Sequence, residues 1–299
     1  MEETRQLQEL VLRMEISNAE IARISGKSTG TVSQVLSGKY KGRPEVAKEI
    51  LDALALYEEG LEKVPREPWF TDGQQLIMSV LFLTHQTSGF SVVVGPSGIG
   101  KTYTARHFLE KHGDVRYLRC ADGMCMGDVI DSLLELTGAP SYGSNSHRLK
   151  RAIRTLKEQG VRMILVDEAD LLVTDGSKPK ILKKISVFRE VKESGIGVSL
   201  IGLESFDTAL RTVGETYVTS RIDLFRRTTS PSMDELGHYM AELGCDPETE
   251  SARRAISLAP KNGSLRFVEK AVQITKHLGG NMLEALRVLF AASGHVKGV

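Results

Sequence analysis

The sequence is notable first for what it lacks. None of its 299 residues belong to an apolar run approaching the ~20 residues that cross a bilayer. The opening stretch, MEETRQLQEL, is acidic and polar where a secretory leader has a basic start and an apolar stretch. A cytoplasmic protein with no membrane partner is therefore expected. Cysteine is scarce: Cys120, Cys125 and Cys245 form neither an even disulfide set nor a CxxC pair, so free buried thiols are expected. Internal repeats and low-complexity tracts are missing as well, which excludes a solenoid or a long disordered tail. Charge of one sign is also absent. Lys and Arg number 39 against 38 for Asp and Glu, so any contact with nucleic acid must come from local basic patches.

What is present divides into three parts. Over residues 1–60 the apolar spacing is helical, punctuated by Gly26, Gly30 and Gly38, as in a small all-α domain. The stretch 61–68, with Pro65 and Pro68 among charges, reads as an exposed linker. From Trp69 to residue 230, strand-like runs (FSVVVG, VRYLRC, VRMILVDEAD, GVSLIGL) alternate with helical ones, which predicts an α/β fold with a parallel sheet. Residues 231–299 carry no convincing strand and read as a small helical bundle, with Pro231, Pro247 and Pro260 near its breaks.

The chemistry begins at VVVGPSGIGKT. Gly95, Pro96, Ser97, Gly98, Ile99, Gly100, Lys101 and Thr102 form G-x-x-x-x-G-K-T between a strand and a helix, the setting a phosphate loop requires. Glycines let successive N–H groups curl around phosphate oxygens, the helix start adds a positive dipole end, and Lys101 adds a full charge. The expected ligands are ATP and Mg2+, with Thr102 on the metal. A second apolar run ends in MILVDEAD. There Asp167 is expected to complete the magnesium shell, and Glu168 to polarise the attacking water. The letters DEAD do not make a helicase. Such an enzyme needs a second nucleotide-fold domain, and no further alternating sheet follows SLIGL.

After the sheet come TSRIDLFRR and, in the helical tail, NGSLRFVEKAV. With these the sequence resembles the AAA+ ATPases. That resemblance implies a helical lid, an arginine finger at Arg221 reaching a neighbouring subunit's nucleotide, and a nucleotide-sensing lid arginine at Arg266. Arg226 and Arg227 are alternatives for the finger. SLIGLES lacks the asparagine common at the family's sensor position, where Ser199 or Glu204 would have to stand in.

The N-terminal stretch NAEIARISGKSTGTVSQVLSG reads as helix, turn and helix, and resembles the helix-turn-helix of phage repressors. Candidate DNA contacts there are Lys27, Ser28, Thr29, Thr31, Gln34, Lys39, Lys41 and Arg43, with no acidic residue between Arg23 and Arg43. A protein-interaction module of the same shape is the alternative. Two further basic segments, Arg148, Lys150, Arg151 and Arg154, and Lys178, Lys180, Lys183 and Lys184, are candidate backbone contacts; a solvated face is their alternative.

A repressor-like module joined to a compact AAA+ module resembles the transposition ATPases of the Mu B family. The resemblance implies a protein of a bacterial host cell that assembles as an ATP-dependent helical homo-oligomer on double-stranded DNA with little sequence preference. It further implies delivery of that DNA to a transposase, stimulation of strand transfer, and release by hydrolysis. A helicase loader or replication initiator, and a nucleotide-gated transcriptional regulator, are the competing readings.

Overall fold

The computed structural model describes residues 2–14, 16, 18–43, 45–63, 68–174, 177–213 and 221–292. The chain divides into two compact units, Met1–Pro68 and Trp69–Val299.

Among the described residues the first unit has four helices: α1 (Glu2–Met14), α2 (Asn18–Ser25), α3 (Thr29–Leu36) and α4 (Val46–Lys63). Their apolar positions recur at helical spacing and meet in one core of Leu7, Leu10, Ile21, Ala22, Val32, Val35, Val46, Ile50 and Leu54. Between α2 and α3 the backbone turns at Gly26, whose φ of +64° suits glycine. Ser28 then caps α3, its Oγ accepting the Thr31 N–H at 3.1 Å. Helix α4 runs on to Lys63, so the stretch expected as linker begins inside a helix. Residues 64–67 of that stretch lie outside the described residues.

The second unit opens with α5 (Asp72–Thr87), started by a reciprocal capping box between Thr71 and Gln74. Four strand–helix steps follow: β1 (Phe90–Val94), α6 (Lys101–Lys111), β2 (Val115–Arg119), α7 (Met126–Glu135), α8 (Asn145–Glu158), β3 (Met163–Asp167), α9 (Lys178–Glu193), β4 (Gly197–Gly202) and α10 (Glu204–Val213). A fifth strand, β5 (Leu224–Arg227), completes a parallel sheet in the order β2-β3-β4-β1-β5. Sequence alternation identified the first four strands. It missed β5, an edge strand whose four residues end in two exposed arginines and carry no apolar run.

The central strands β1, β3 and β4 are buried throughout, because helices cover both faces. Successive side chains go to opposite cores. Phe90, Val92, Val94, Ile164 and Val166 join the cluster under α7–α10, whereas Val93, Met163 and Leu165 pack with Ile77, Leu81 and Phe108 from α5 and α6. Truncating a sealed ring such as Phe108 to alanine costs about 3–5 kcal/mol.

Four helices close the chain: α11 (Met233–Glu242), α12 (Glu250–Asn262), α13 (Ser264–His277) and α14 (Met282–Ala292), around Leu236, Met240, Ile256, Val268, Val272 and Leu286. Pro260 was expected at a break and instead lies inside the last turn of α12. The helix ends shortly after it, at Gly263 with φ +104°, so little of the hydrogen-bond ladder is interrupted. Among the described residues, no helix is long and apolar enough to cross a membrane.

Candidate nucleotide-binding site

The phosphate loop joins the end of buried β1 to the start of α6. Gly98 and Gly100 take φ of +78° and +89°, which turns the loop so that α6 begins without a side-chain cap on its first amides. A β-carbon at Gly98 would come within 2.0 Å of the Gly263 carbonyl, so only glycine allows the lid to approach here. Lys101 donates from Nζ to the carbonyls of Gly95 at 2.8 Å and Pro96 at 2.6 Å, which holds its ammonium over the loop. Burial lowers its pKa to about 8, against the upward pull of Asp170 and Asp167.

The acidic end of β3 stands two strands from β1, with β4 between them. Asp167 is 2% exposed; Tyr117 donates its hydroxyl to Oδ2 at 2.8 Å, and the Glu168 N–H donates to Oδ1 at 2.9 Å. Burial, and then the Asp167 charge, push the Tyr117 phenol upward, so it stays a donor. Glu168 has φ +55°, a left-handed conformation that costs a non-glycine residue about 1–3 kcal/mol. Its carboxylate is held by Arg119, with Nε to Oε2 at 2.8 Å and Nη2 to Oε1 at 2.7 Å. That bidentate bond keeps Glu168 below the usual carboxylate range.

Sequence reasoning missed Arg119. Its only signal lies in the sheet register, since Arg119 pairs with Asp167 in the β2–β3 ladder and therefore stands beside Glu168. Asp170 was missed too. It is buried, accepts the Leu203 N–H at 2.9 Å and acts electrostatically on Lys101, which ties the end of β4 to the site.

The lid meets the loop through backbone: the Arg266 N–H donates to Gly98 O at 3.3 Å and Gly263 O at 3.1 Å. The Arg266 charge acts on both Lys101 and Glu168. Arg221 precedes β5, at the edge of the sheet where strands begin, and pairs with Glu193 at 3.0 Å. It is therefore remote from its own chain's phosphate loop. Arg227 is committed to Asp207, and Arg226 is exposed on β5 with a bond to Phe225 O. Of the two sensor candidates, Ser199 is corrected: it is sealed in mid-strand and bonded to Ser91 at 2.9 Å, away from the strand tip. Glu204 begins α10 and lies within electrostatic reach of Lys101.

The basic candidates separate by what already holds them. In the first unit Lys27 is half-buried and paired with Glu49, and Arg43 reaches the same carboxylate at 3.6 Å. Ser28, Thr29, Gln34, Lys39 and Lys41 are exposed, and Thr31 is half-buried. On α8, Arg148 is tied to Asp131 and to Asn145 Oδ1, with its side chain only 12% exposed. Arg151 donates to Pro140 O and Tyr142 O and lies 4.0 Å above the Tyr142 ring. Arg148 thus ties α8 to α7, and Arg151 fastens the loop before α8. Lys150 is exposed, and Arg154 pairs weakly with Glu158. On α9, Lys178, Lys180 and Lys183 are exposed, whereas Lys184 is 3% exposed and is removed from any surface a phosphate could reach.

These residues fit a magnesium nucleotide. The first amides of α6 await an acceptor, Lys101 supplies charge, and Thr102 with Asp167 offers the hard oxygen donors that magnesium takes. The Thr228 hydroxyl, at the end of β5 against Gly95 and Gly73, is buried without a hydrogen-bond partner.

Comparison with known proteins agrees with this geometry. Residues 84–210 match the family model described as an AAA domain. The ATP-dependent target DNA activator B of Escherichia phage Mu is 27% identical over 201 residues, covering 66% of this chain and 62% of that protein. The Mu-like prophage FluMu DNA transposition protein B of Haemophilus influenzae is 25% identical over 204 residues, covering 66% of this chain and 68% of that protein. The chain thus spans about three fifths of the phage Mu protein's length. Among solved structures, the Aeropyrum pernix ORC2 protein in its ADP form shares the fold, with a TM-score of 0.54 at 14% identity over 77% of this chain and 72% of that one. Residues 84–210 thus carry an AAA-type domain, and the chain is similar to the target DNA activator B proteins of Mu-like phages.

Proposed function

We propose that this protein is an ATPase that selects target DNA for transposition. With ATP and Mg2+ bound it assembles on double-stranded DNA with little sequence preference, presents that DNA to a transposase and stimulates strand transfer; hydrolysis then releases it. The observation that carries the reading is the phosphate-loop Lys101 within electrostatic reach of Asp167 and Asp170, in a chain similar to proteins named as ATP-dependent target DNA activators.

Each step has a residue. Lys101 and the first amides of α6 would hold the phosphates, and Thr102 and Asp167 would hold a magnesium ion, which would supply charge neutralisation for phosphoryl transfer. Glu168 orients the water. The bond to Arg119 stabilises its charged form and makes it a weaker base, so basal hydrolysis is slow. Arg119 is a positioning residue with a 61% exposed side chain, so a competing anion on the surface would draw it away and free the base. Arg221, remote from its own nucleotide, supplies charge to a neighbour's and makes hydrolysis depend on assembly.

DNA contact falls to the exposed cations. Lys178, Lys180 and Lys183 crowd the N-terminal turns of α9, where the helix dipole disfavours positive charge and the first turn carries no acidic residue. A phosphate backbone lying there offsets that repulsion. In the parallel sheet this end of α9 shares the edge that carries the phosphate loop, which links DNA contact to nucleotide state. Lys39 and Lys41, with Ser28, Thr29 and Gln34, offer a second exposed polar and basic surface in the first unit.

Fluorescence anisotropy with several unrelated duplexes tests the reading. Tight binding with ATP, weak binding with ADP, similar affinity across sequences and a steep salt dependence are expected. Nucleotide-independent binding, or a large preference for one sequence, would overturn it.

A further inference from the structure

At the edge of the sheet opposite the phosphate loop, the last turns of α5 and α6 converge on the start of β2 and bring His85, His112 and Asp114 together. We propose that this cluster is a binding site for a divalent transition-metal ion of the zinc class, independent of the nucleotide site.

One donor atom from each residue lies within 4.8 Å of the other two. His85 Nε2 and Asp114 Oδ2 stand 2.9 Å apart, so one ion can take the place of the proton between them and be bound by both. His85 is 4% exposed, which shields that position from bulk water.

The surroundings supply the rest. The His112 ring stands 4.9 Å from the His85 ring, centroid to centroid, and offers the second imidazole. Asp114 brings a carboxylate oxygen to within ligand distance of both imidazoles. Phe108 packs on His112 at 4.1 Å and edge-on to His85 at 6.1 Å, which fixes both rings and keeps one side of the cluster dry. His85 sits in the last turn of α5 and His112 caps the end of α6, so two helix C-termini direct their negative ends at the site. Lys111 and Arg162 also act on the cluster, both from exposed positions where solvent screens them. Two nitrogens and a carboxylate suit Zn2+ or Co2+ rather than Mg2+, which prefers oxygen. A bound ion would staple α5 to the α6–β2 turn.

The test is a Co2+ titration of full-length protein stripped with chelator and free of nucleotide. One equivalent should bind, with the visible ligand-field bands of a low-coordinate site and no thiolate charge-transfer band, and Zn2+ should displace it. His112→Ala and Asp114→Asn should each weaken binding by at least about tenfold while leaving circular dichroism and ATP binding intact. Lys101→Ala should leave Co2+ binding unchanged. Zn2+ should raise the melting temperature of the wild type and not of His112→Ala. Failure of the wild type to take up one equivalent, or uptake that survives both ligand substitutions, would overturn the proposal.

Discussion

Lys101 is pulled two ways: burial lowers its pKa to about 8, while Asp170 and Asp167 favour the charged form. Bound phosphates add negative charge and return the amine to its ordinary range, so binding ATP near or above pH 8 takes up a proton. The sign follows: ATP affinity is flat below about pH 8 and falls as pH rises beyond it. Calorimetry at pH 8.5 in two buffers of different ionisation enthalpy should report proton uptake, and Lys101→Ala should abolish it with most of the binding. At the acidic end, Arg119→Ala should raise basal hydrolysis several-fold while leaving ATP affinity and melting temperature nearly unchanged, because the pair it breaks is exposed. Glu168→Gln should bind ATP and stop turnover. A phosphate-release assay on both variants checks these outcomes; unchanged turnover in Arg119→Ala would mean the ion pair restrains nothing. Lys101 and Thr102 stand out in the sequence because a loop between strand and helix sets them, and Asp167 because it ends a continuous apolar run. Arg119, 49 positions from Glu168, does not, because only the β2–β3 register brings it there.

Among the elements, β1 and β3 announce themselves by continuous apolar runs, since helices cover both their faces. β5 lies at the sheet edge, pairs only with β1 and ends in Arg226 and Arg227, so its pattern carries no comparable signal. The basic segments show the other limit of reading by pattern. Arg148 and Arg151 look alike in sequence to free cations, yet Asp131, Pro140 and Tyr142 engage them, and helix phase alone turns Lys184 inward while Lys183 stays exposed. Helix α9 provides the matching prediction. Replacing Lys178, Lys180 and Lys183 together by alanine removes charges that oppose the helix dipole, so the melting temperature should hold or rise slightly. The slope of log affinity for duplex DNA against log salt should shrink by about 0.9 for each lysine that meets a phosphate. An unchanged slope would remove α9 from the DNA-facing surface.

The molecule as a whole combines two units that each enclose their own apolar core, Leu7 to Leu54 in the first, and two sheet faces with a lid cluster in the second. The chain carries only one positive charge in excess, so a polyanion is met by patches and not by a general field. In the proposed assembly each copy would supply what another lacks: Arg221 stands away from its own phosphate loop, and a row of copies would multiply each modest lysine patch along a duplex. This cooperation among copies is the central claim. Electron microscopy of the full chain on random-sequence duplex DNA, with ATP and without nucleotide, tests it most directly. The account predicts continuous filaments coating the duplex with ATP and bare DNA without it. Discrete rings, single bound particles at one position, or filaments indifferent to ATP would contradict it.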